Sequence, residues 1–321
     1  MINCPICRIK TAKPIYKINT YQYYICNNCQ ILFLHPIPNP KQLNSYYKNT
    51  FQYSSGIAEK FKIQYRSRLI ISKLKQIHPA GVRILDVGSG YGYFIKETLK
   101  HNLQSTGIEP SRKLYNISQN NNSNAKIFNT NLKDYLHSHN KSKFDYITLI
   151  HVIEHVENPQ QFINKAISLL NKNGILYIET PNLKSHLYNS ELQSYTFLTP
   201  PEHIWIFSLQ FFERILKQLT NIRIVQKNTY SYPEHFMGIF KKMLNKPFDR
   251  FDKLTASKLR VNKLQMNITQ NRTKLPNKLN SKRIPSSFKY LLFDKIIAPI
   301  FTPLLNIGGN GSILELYIKK N

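Results

Sequence analysis

Acidic residues are scarce in this chain of 321 residues: 17 Asp and Glu stand against 45 Lys and Arg, a formal charge of +28. Such a shortage directs the molecule toward anionic partners: nucleic acid, an acidic membrane face or phosphorylated small molecules. Part of the charge is compositional, since Asn, Lys, Ile and Tyr are abundant throughout. Cysteine is also sparse. All four residues fall in one cluster near the N-terminus, so no disulfide framework is implied. Uninterrupted apolar runs stay well short of the roughly 18 residues a bilayer span needs. The opening Met1-Ile2-Asn3-Cys4 lacks the basic-then-apolar pattern of a secretory signal. A cytoplasmic protein is expected, either free or resting on the inner face of a membrane. The length allows one sizeable core with additions, or two domains.

What is present concentrates in Ile84-Leu85-Asp86-Val87-Gly88-Ser89-Gly90-Tyr91-Gly92, where an apolar strand runs into three glycines at alternate positions. Glycines let the backbone pass close to a ligand that a Cβ would strike. Glu109 ends the next strand-like run, Ser105-Thr106-Gly107-Ile108, where a carboxylate is placed to accept hydrogen bonds from two ribose hydroxyls. The pattern is nucleoside-cofactor chemistry on a doubly wound sheet. The spacing is G-x-G-x-G, and the G-x-G-x-x-G of dinucleotide sites is missing. A dinucleotide lays its pyrophosphate on a helix N-terminus, whereas S-adenosylmethionine has no phosphate and needs only a close turn.

Residues 85–92 resemble motif I of the class I S-adenosylmethionine-dependent methyltransferases. Phe144-Asp145-Tyr146-Ile147-Thr148-Leu149-Ile150 then reads as strand four. The His151-Val152-Ile153-Glu154-His155-Val156-Glu157-Asn158-Pro159 that follows is similar to the corresponding segment of small-molecule enzymes of the ubiquinone-biosynthesis and sugar-modifying type. The resemblance runs in order over roughly residues 80–230. It implies an α/β fold: a Rossmann-like seven-stranded methyltransferase sheet, with an N-terminal zinc ribbon and a helical insertion before the last strand. It also implies that Asp86 reaches the methionine amino group, that Gly88, Gly90 and Gly92 line the tail, and that Glu109 holds the ribose. Asn131 and Leu132 fall where the family contacts adenine, although an acid is common at the place of Asn131. His151, directly after strand four, joins the cofactor-binding set.

Cys4-x2-Cys7 and Cys26-x2-Cys29, 18 residues apart, form two knuckles with zinc-ribbon spacing. Four thiolates close a tetrahedral shell and leave no position for substrate, so the zinc is read as structural. Between the knuckles, Ile15–Ile18 and Tyr21–Ile25 alternate like a hairpin. The segment after them, Gln30 to Pro40, resembles the opening of methyltransferases from surface-polysaccharide and secondary-metabolite pathways. The domain reading is a ribbon over 1–40, linker and lid helices over 41–80, a cofactor-binding core over 81–230, a basic helical insertion over 231–309 and the final antiparallel strand over 310–321. The apolar, Pro-broken end of the insertion allows either a subdomain packed on the sheet edge or peripheral contact with an anionic membrane.

Methyl transfer is an in-line displacement that depends on alignment. An oxygen acceptor also needs a base within hydrogen-bond reach, and histidine titrates near neutrality. His155, just past strand four, and His203, on the long loop over 183–207, are the catalytic candidates, each with the alternative of pinning a loop. Glu154 is expected to cap the following helix, with orientation of a histidine as its alternative. The acceptor is read as a small molecule, a sugar, saccharide-lipid or related metabolite, methylated at oxygen or carbon. An RNA methyltransferase and a nonenzymatic cofactor-binding scaffold stay open as alternatives. Absence of Asn-Pro-Pro-Tyr after strand four disfavours amino groups of bases, and with them nucleic acid as the partner.

Overall fold

The computed structural model describes residues 1–10, 12–39, 41–43, 46, 57–139, 142–192, 195–232, 235 and 303–321. Most of the expected basic insertion, 236–302, lies outside the described residues, and so does the membrane-contact reading that rests on it. No helix among the described residues is long and apolar enough to cross a membrane.

Seven strands form the main sheet: β4 (Arg83–Val87), β5 (Gln104–Ile108), β6 (Lys126–Phe128), β7 (Phe144–Ile150), β8 (Leu170–Pro181), β10 (Ile222–Tyr230) and β11 (Ile313–Lys320). Their order is β10-β11-β8-β7-β4-β5-β6. Neighbours from β6 to β8 pair in parallel, and β11 runs antiparallel to both β8 and β10. The seven-stranded sheet and its final antiparallel strand are therefore as expected from the sequence; the reversed strand, β11, lies between β8 and β10, and β10 forms the edge. The order reverses between β4 and β7, and at such a switch point the connections leave in opposite directions and open a crevice at the strand ends.

Both faces of the sheet are covered, which is why its strands read as nearly continuous apolar runs. Leu85, Val87, Ile147, Leu149, Leu176, Ile178, Leu316 and Ile318 belong to the larger core. On the opposite face, Ile84, Tyr146, Ile175, Tyr177 and Tyr317 pack with Ile70, Ile71 and Leu74. Those three come from α1 (Ile57–Ile77), the helix predicted ahead of the first core strand. Helix starts follow side-chain chemistry. Asn158 accepts from the Gln161 N–H ahead of α5 (Pro159–Ser168), with Pro at the first helical position where no N–H is needed. Ser208 caps α7 (Leu209–Leu216) by accepting from the Phe211 N–H. The intervening helices are α2 (Tyr93–Lys100), α3 (Arg112–Asn121) and α4 (Leu132–Ser138).

A second, four-stranded sheet holds β1 (Ala12–Ile18), β2 (Tyr21–Cys26), β3 (Ile31–His35) and β9 (Trp205–Ile206). The predicted hairpin is present. The fourth strand comes from the loop after β8, and that loop is not structureless. It carries a short helix, α6 (His186–Glu191), and pairs Ile206 with Leu32 and Trp205 with Phe33. Apolar pairing drives this contact: Trp205, Phe33, Phe207 and Ile204 are all fully buried. Strand β8 runs through Asn171–Gly174 with Asn173 in the left-handed region at φ 63.

Candidate functional site

The glycine turn closes over the end of β5. Gly88 and Ser89 donate to the Ile108 carbonyl at 2.8 and 3.1 Å. Gly88 has φ +75, and a Cβ there would lie 2.7 Å from Val152 Cγ2, so the segment after β7 packs directly on the turn. Gly90 has φ +53, and a Cβ there would meet nothing within 4 Å. Its surroundings are open. At Gly92 the Cβ would face Ser118 and Asn122 on the side of α3, so this glycine sits at a helix-packing point at the start of α2.

Glu109 is 6% exposed and both of its oxygens are engaged. Oε2 accepts from the Gly90 N–H at 2.9 Å and Oε1 from the Ser111 N–H at 2.8 Å. Burial raises its pKa, and these two donors oppose the rise. Each oxygen keeps a second lone-pair direction, the number a vicinal diol needs. Asp86, at the end of β4, accepts from Thr148 Oγ1 at 2.7 Å. Burial pushes its pKa up to about 7, against the Thr148 hydrogen bond and with help from the Glu109 charge. A buried carboxyl raised in this way suits a cationic ligand, because an ammonium beside it restores the ionised form. Asn131 caps α4 by accepting from the Asp134 N–H at 3.0 Å, and Leu132 is buried in the core beside it.

His151 stands at the end of β7 with φ 52, an uncommon backbone conformation for a residue with a side chain. Its Nδ1 lies 3.0 Å from Glu154 Oε1 and its Nε2 3.4 Å from Glu179 Oε1. Burial alone would lower its pKa, but the two carboxylates outweigh burial and hold it up at about 10. Burial would raise both acids. The imidazolium instead brings Glu154 down to about 2, and with Arg66 it brings Glu179 to about 2. Glu154 therefore orients a histidine and does not cap the helix, as the sequence had suggested. Asn158 takes the cap, and the second oxygen of Glu154 accepts from Thr180 at 3.0 Å.

His155 and His203 come together, with ring centroids 4.8 Å apart. His155 Nδ1 donates to the Glu202 carbonyl at 3.0 Å and His203 Nδ1 to the Phe197 carbonyl at 2.7 Å. Since a carbonyl only accepts, both Nδ1 atoms carry a proton, which leaves Nε2 as the acceptor whenever the ring is neutral. Burial, then the neighbouring His155 charge, pushes His203 down to about 3, so it is a weak base. One ligand atom from each of Glu154, His155 and His203 lies within 4.8 Å of the others.

Sequence reasoning missed a polar cluster under α1. Arg66 Nη2 reaches Glu179 at 3.3 Å, Tyr177 Oη at 3.2 Å and Glu315, and its guanidinium lies 3.9 Å from the Tyr230 ring centroid. Tyr230 Oη donates to Glu179 at 2.8 Å. A signal existed: Glu179 and Glu315 each interrupt an otherwise apolar strand, and a buried acid requires a partner.

The four thiols meet as predicted. Cys4 and Cys29 Sγ are 3.9 Å apart and Cys7 and Cys26 Sγ 3.8 Å apart, all four within 4.8 Å of one another. A tetrahedral zinc with Zn–S bonds of about 2.3 Å has S–S edges of about 3.8 Å, so the donor set fits this ion. The knuckles match in detail: the Arg8 N–H returns to the Cys4 carbonyl at 2.9 Å and the Gln30 N–H to the Cys26 carbonyl at 2.8 Å. Arg8 and Gln30 are both left-handed.

The strand order, with one reversed strand inserted next to the edge, and the glycine turn beside the switch point are those of the class I methyltransferase fold. A S-adenosylmethionine-dependent methyltransferase from Archaeoglobus fulgidus is 18% identical; the match covers 88% of this chain and all of that one, with a TM-score of 0.50. A ubiquinone biosynthesis O-methyltransferase from Coxiella burnetii is 30% identical over 132 residues, 40% of this chain and 56% of that protein. One of the same description from Rickettsia typhi is 26% identical over 231 residues, 70% of this chain and 75% of that protein. The chain thus spans about half the length of the first of these curated relatives. The methyltransferase-domain family matches residues 61–227, and the chain belongs to that family.

Proposed function

We propose that this protein transfers a methyl group from S-adenosylmethionine to an oxygen of a small-molecule acceptor. The observation that carries this reading is the Glu109 carboxylate, clamped by Gly90 and Ser111 beside the open space at Gly90. When bound, S-adenosylmethionine supplies an activated methyl on a cationic sulfur. The chain supplies position and proton handling. Glu109 accepts from the ribose hydroxyls, Asp86 pairs with the amino group, and the turn at Gly88 and Gly90 gives the tail room. Asn131, Leu132 and His151 remain in the proposed cofactor site. His151 is locked between two carboxylates and holds the floor of the crevice. Gly92 acts there through the packing of α2.

His155 is the proposed base. The Glu154 carboxylate, ionised at neutral pH, stabilises the imidazolium that forms when His155 takes the acceptor proton. His203, being a weak base, accepts a hydrogen bond that orients the acceptor hydroxyl. The relatives described as O-methyltransferases support an oxygen nucleophile over carbon. A structural zinc on Cys4, Cys7, Cys26 and Cys29 completes the proposal. A sugar or saccharide-lipid acceptor remains part of the reading.

The test is tritiated-methyl transfer from S-adenosylmethionine into fractionated cell extract. Label is expected in a small-molecule or lipid fraction, with His155→Ala lowering incorporation by about 10²–10⁴-fold at unchanged cofactor affinity. Label entering RNA instead, or no binding of S-adenosylmethionine by calorimetry, overturns the reading.

A further inference from the structure

The segment carrying His203 lies between the ribbon and the core, bonded on both sides. Toward the core, the Ile204 N–H donates to the Glu154 carbonyl at 2.9 Å and Trp205 Nε1 to the Val156 carbonyl at 2.7 Å. Toward the ribbon, the Leu34 N–H donates to the Ile204 carbonyl at 2.8 Å, and Ser208 Oγ to the Gln30 carbonyl at 2.6 Å. Arg214 Nη1, on α7, reaches the Asn28 carbonyl at 2.7 Å, next to the second knuckle. Tyr23, on β2, is fully buried, and its hydroxyl donates to the carbonyl of His203 itself at 2.7 Å.

We propose that the ribbon is the scaffold of the acceptor side of the crevice, with Tyr23 as the positioning residue for His203. The proposal rests on the functional reading above only for what His203 does; the mechanical link stands on the bonds just given. Three features make Tyr23 specific to this role. Its phenol stays protonated and able to donate, because burial, with the Glu202 charge, pushes its pKa well above the usual range. A Phe in its place keeps the packing and removes a single hydrogen bond. The bond ends on the backbone of the residue whose imidazole faces His155. The knuckles are one strand away: Cys26 ends β2, and Gln30, four residues later, supplies the carbonyl that holds Ser208. Closing four thiolates on one ion fixes these strands relative to one another, so metal occupancy at the ribbon is transmitted to residues 203–208. The crevice around Asp86, Gly90 and Glu109 has no such bond to the ribbon among the described residues, and it should not respond.

The experiment uses the full chain with its metal, measuring hydrogen exchange by mass spectrometry, S-adenosylmethionine binding by calorimetry, and histidine ring signals by NMR. Removing zinc with a chelator is expected to speed exchange across 199–208 as well as 1–35. Strands β4 and β5 should stay protected, S-adenosylmethionine affinity should hold within about twofold, and added zinc should reverse the change. Tyr23→Phe, with zinc still bound, is expected to speed exchange at Ile204 by about threefold to tenfold, the effect of one buried hydrogen bond. It should also shift the His203 ring signal while leaving those of His78 and His101 in place. A general loss of stability would not produce that selective shift. Ser208→Ala, which loosens the same segment from its other end, should give the same regional pattern if Tyr23→Phe fails to fold. Faster exchange confined to 1–35 after zinc removal, or an unmoved His203 signal in a folded Tyr23→Phe protein, overturns the proposal. Failure of S-adenosylmethionine to bind the unaltered protein would overturn the methyltransferase reading and leave this link standing.

Discussion

Replacing Glu109 by Gln tests the cofactor site at its most constrained atoms. Oε1 and Oε2 each already accept a backbone N–H, from Ser111 at 2.8 Å and Gly90 at 2.9 Å. An amide has one oxygen and one NH2, so whichever way it is turned it places a donor against a donor. The remaining oxygen offers one lone pair where the carboxylate offers two, and it carries no charge. One hydrogen bond to a charged group contributes about 1.5–3 kcal/mol, which corresponds to roughly 10–150-fold in dissociation constant. Glu109→Gln is therefore expected to weaken S-adenosylmethionine binding by at least about tenfold and to behave no better than Glu109→Ala, despite its near-identical shape. The assay is calorimetry with S-adenosylmethionine and S-adenosylhomocysteine, alongside thermal melting to show that the protein is folded. Affinity within about twofold of the unaltered protein would refute the placement of the ribose at Glu109. So would a Gln variant that binds normally while the Ala variant does not, because the charge and the second acceptor would then be irrelevant.

Asp86, with a pKa near 7 in the folded chain against about 3.9 when unfolded, holds its proton more tightly when folded. The ligand-free protein should therefore lose stability as pH rises from about 4 to 7, and Asp86→Asn should raise its melting temperature at about pH 8. Cofactor affinity should run the other way, weakening as pH falls below about 7 and Asp86 is protonated; calorimetry between about pH 6 and 8 reads this. Gly90→Ala meets nothing within 4 Å, so it should cost only about 1 kcal/mol of stability for its left-handed backbone while strongly weakening cofactor binding. Gly88→Ala, driven into Val152, should destabilise the fold as well; denaturant melts separate the two. His151→Gln leaves Glu154 and Glu179 without their shared cation. Loss of a buried partner costs about 3–5 kcal/mol, and the effect here should fall at or below that range because the imidazole is 31% exposed. Elemental analysis should find one zinc per chain, and four unreactive thiols should become titratable after chelation.

The strands and the positions of Gly88, Gly90 and Glu109 could be read from the chain because each depends on neighbours close in sequence: an apolar run, a turn that tolerates φ > 0, an acid at a strand end. The paired knuckles were legible for the same reason, since two residues between cysteines set the geometry locally. Glu154 was misread, because a cap and a buried ion pair both call for an acid near a helix start. The distinction lies with His151 and Thr180, and Thr180 is 26 residues away.

Local sequence thus determined the strands, the turn, the caps and the cysteine knuckles. Tertiary structure alone decided what required distant groups to meet. Arg66 finds Glu315 across 249 positions, and Tyr23 finds His203 across 180. Strand β9 leaves the core loop to complete the ribbon sheet, because Trp205 and Phe33 bury each other only once both halves are folded. The electrostatics followed from that assembly. His151 and His203 are the same residue type on neighbouring segments, yet two carboxylates hold one charged and burial beside a second histidine keeps the other neutral. Neither state is written in the residues themselves, because a pKa belongs to the solvent and charges around a group, and the fold sets those last.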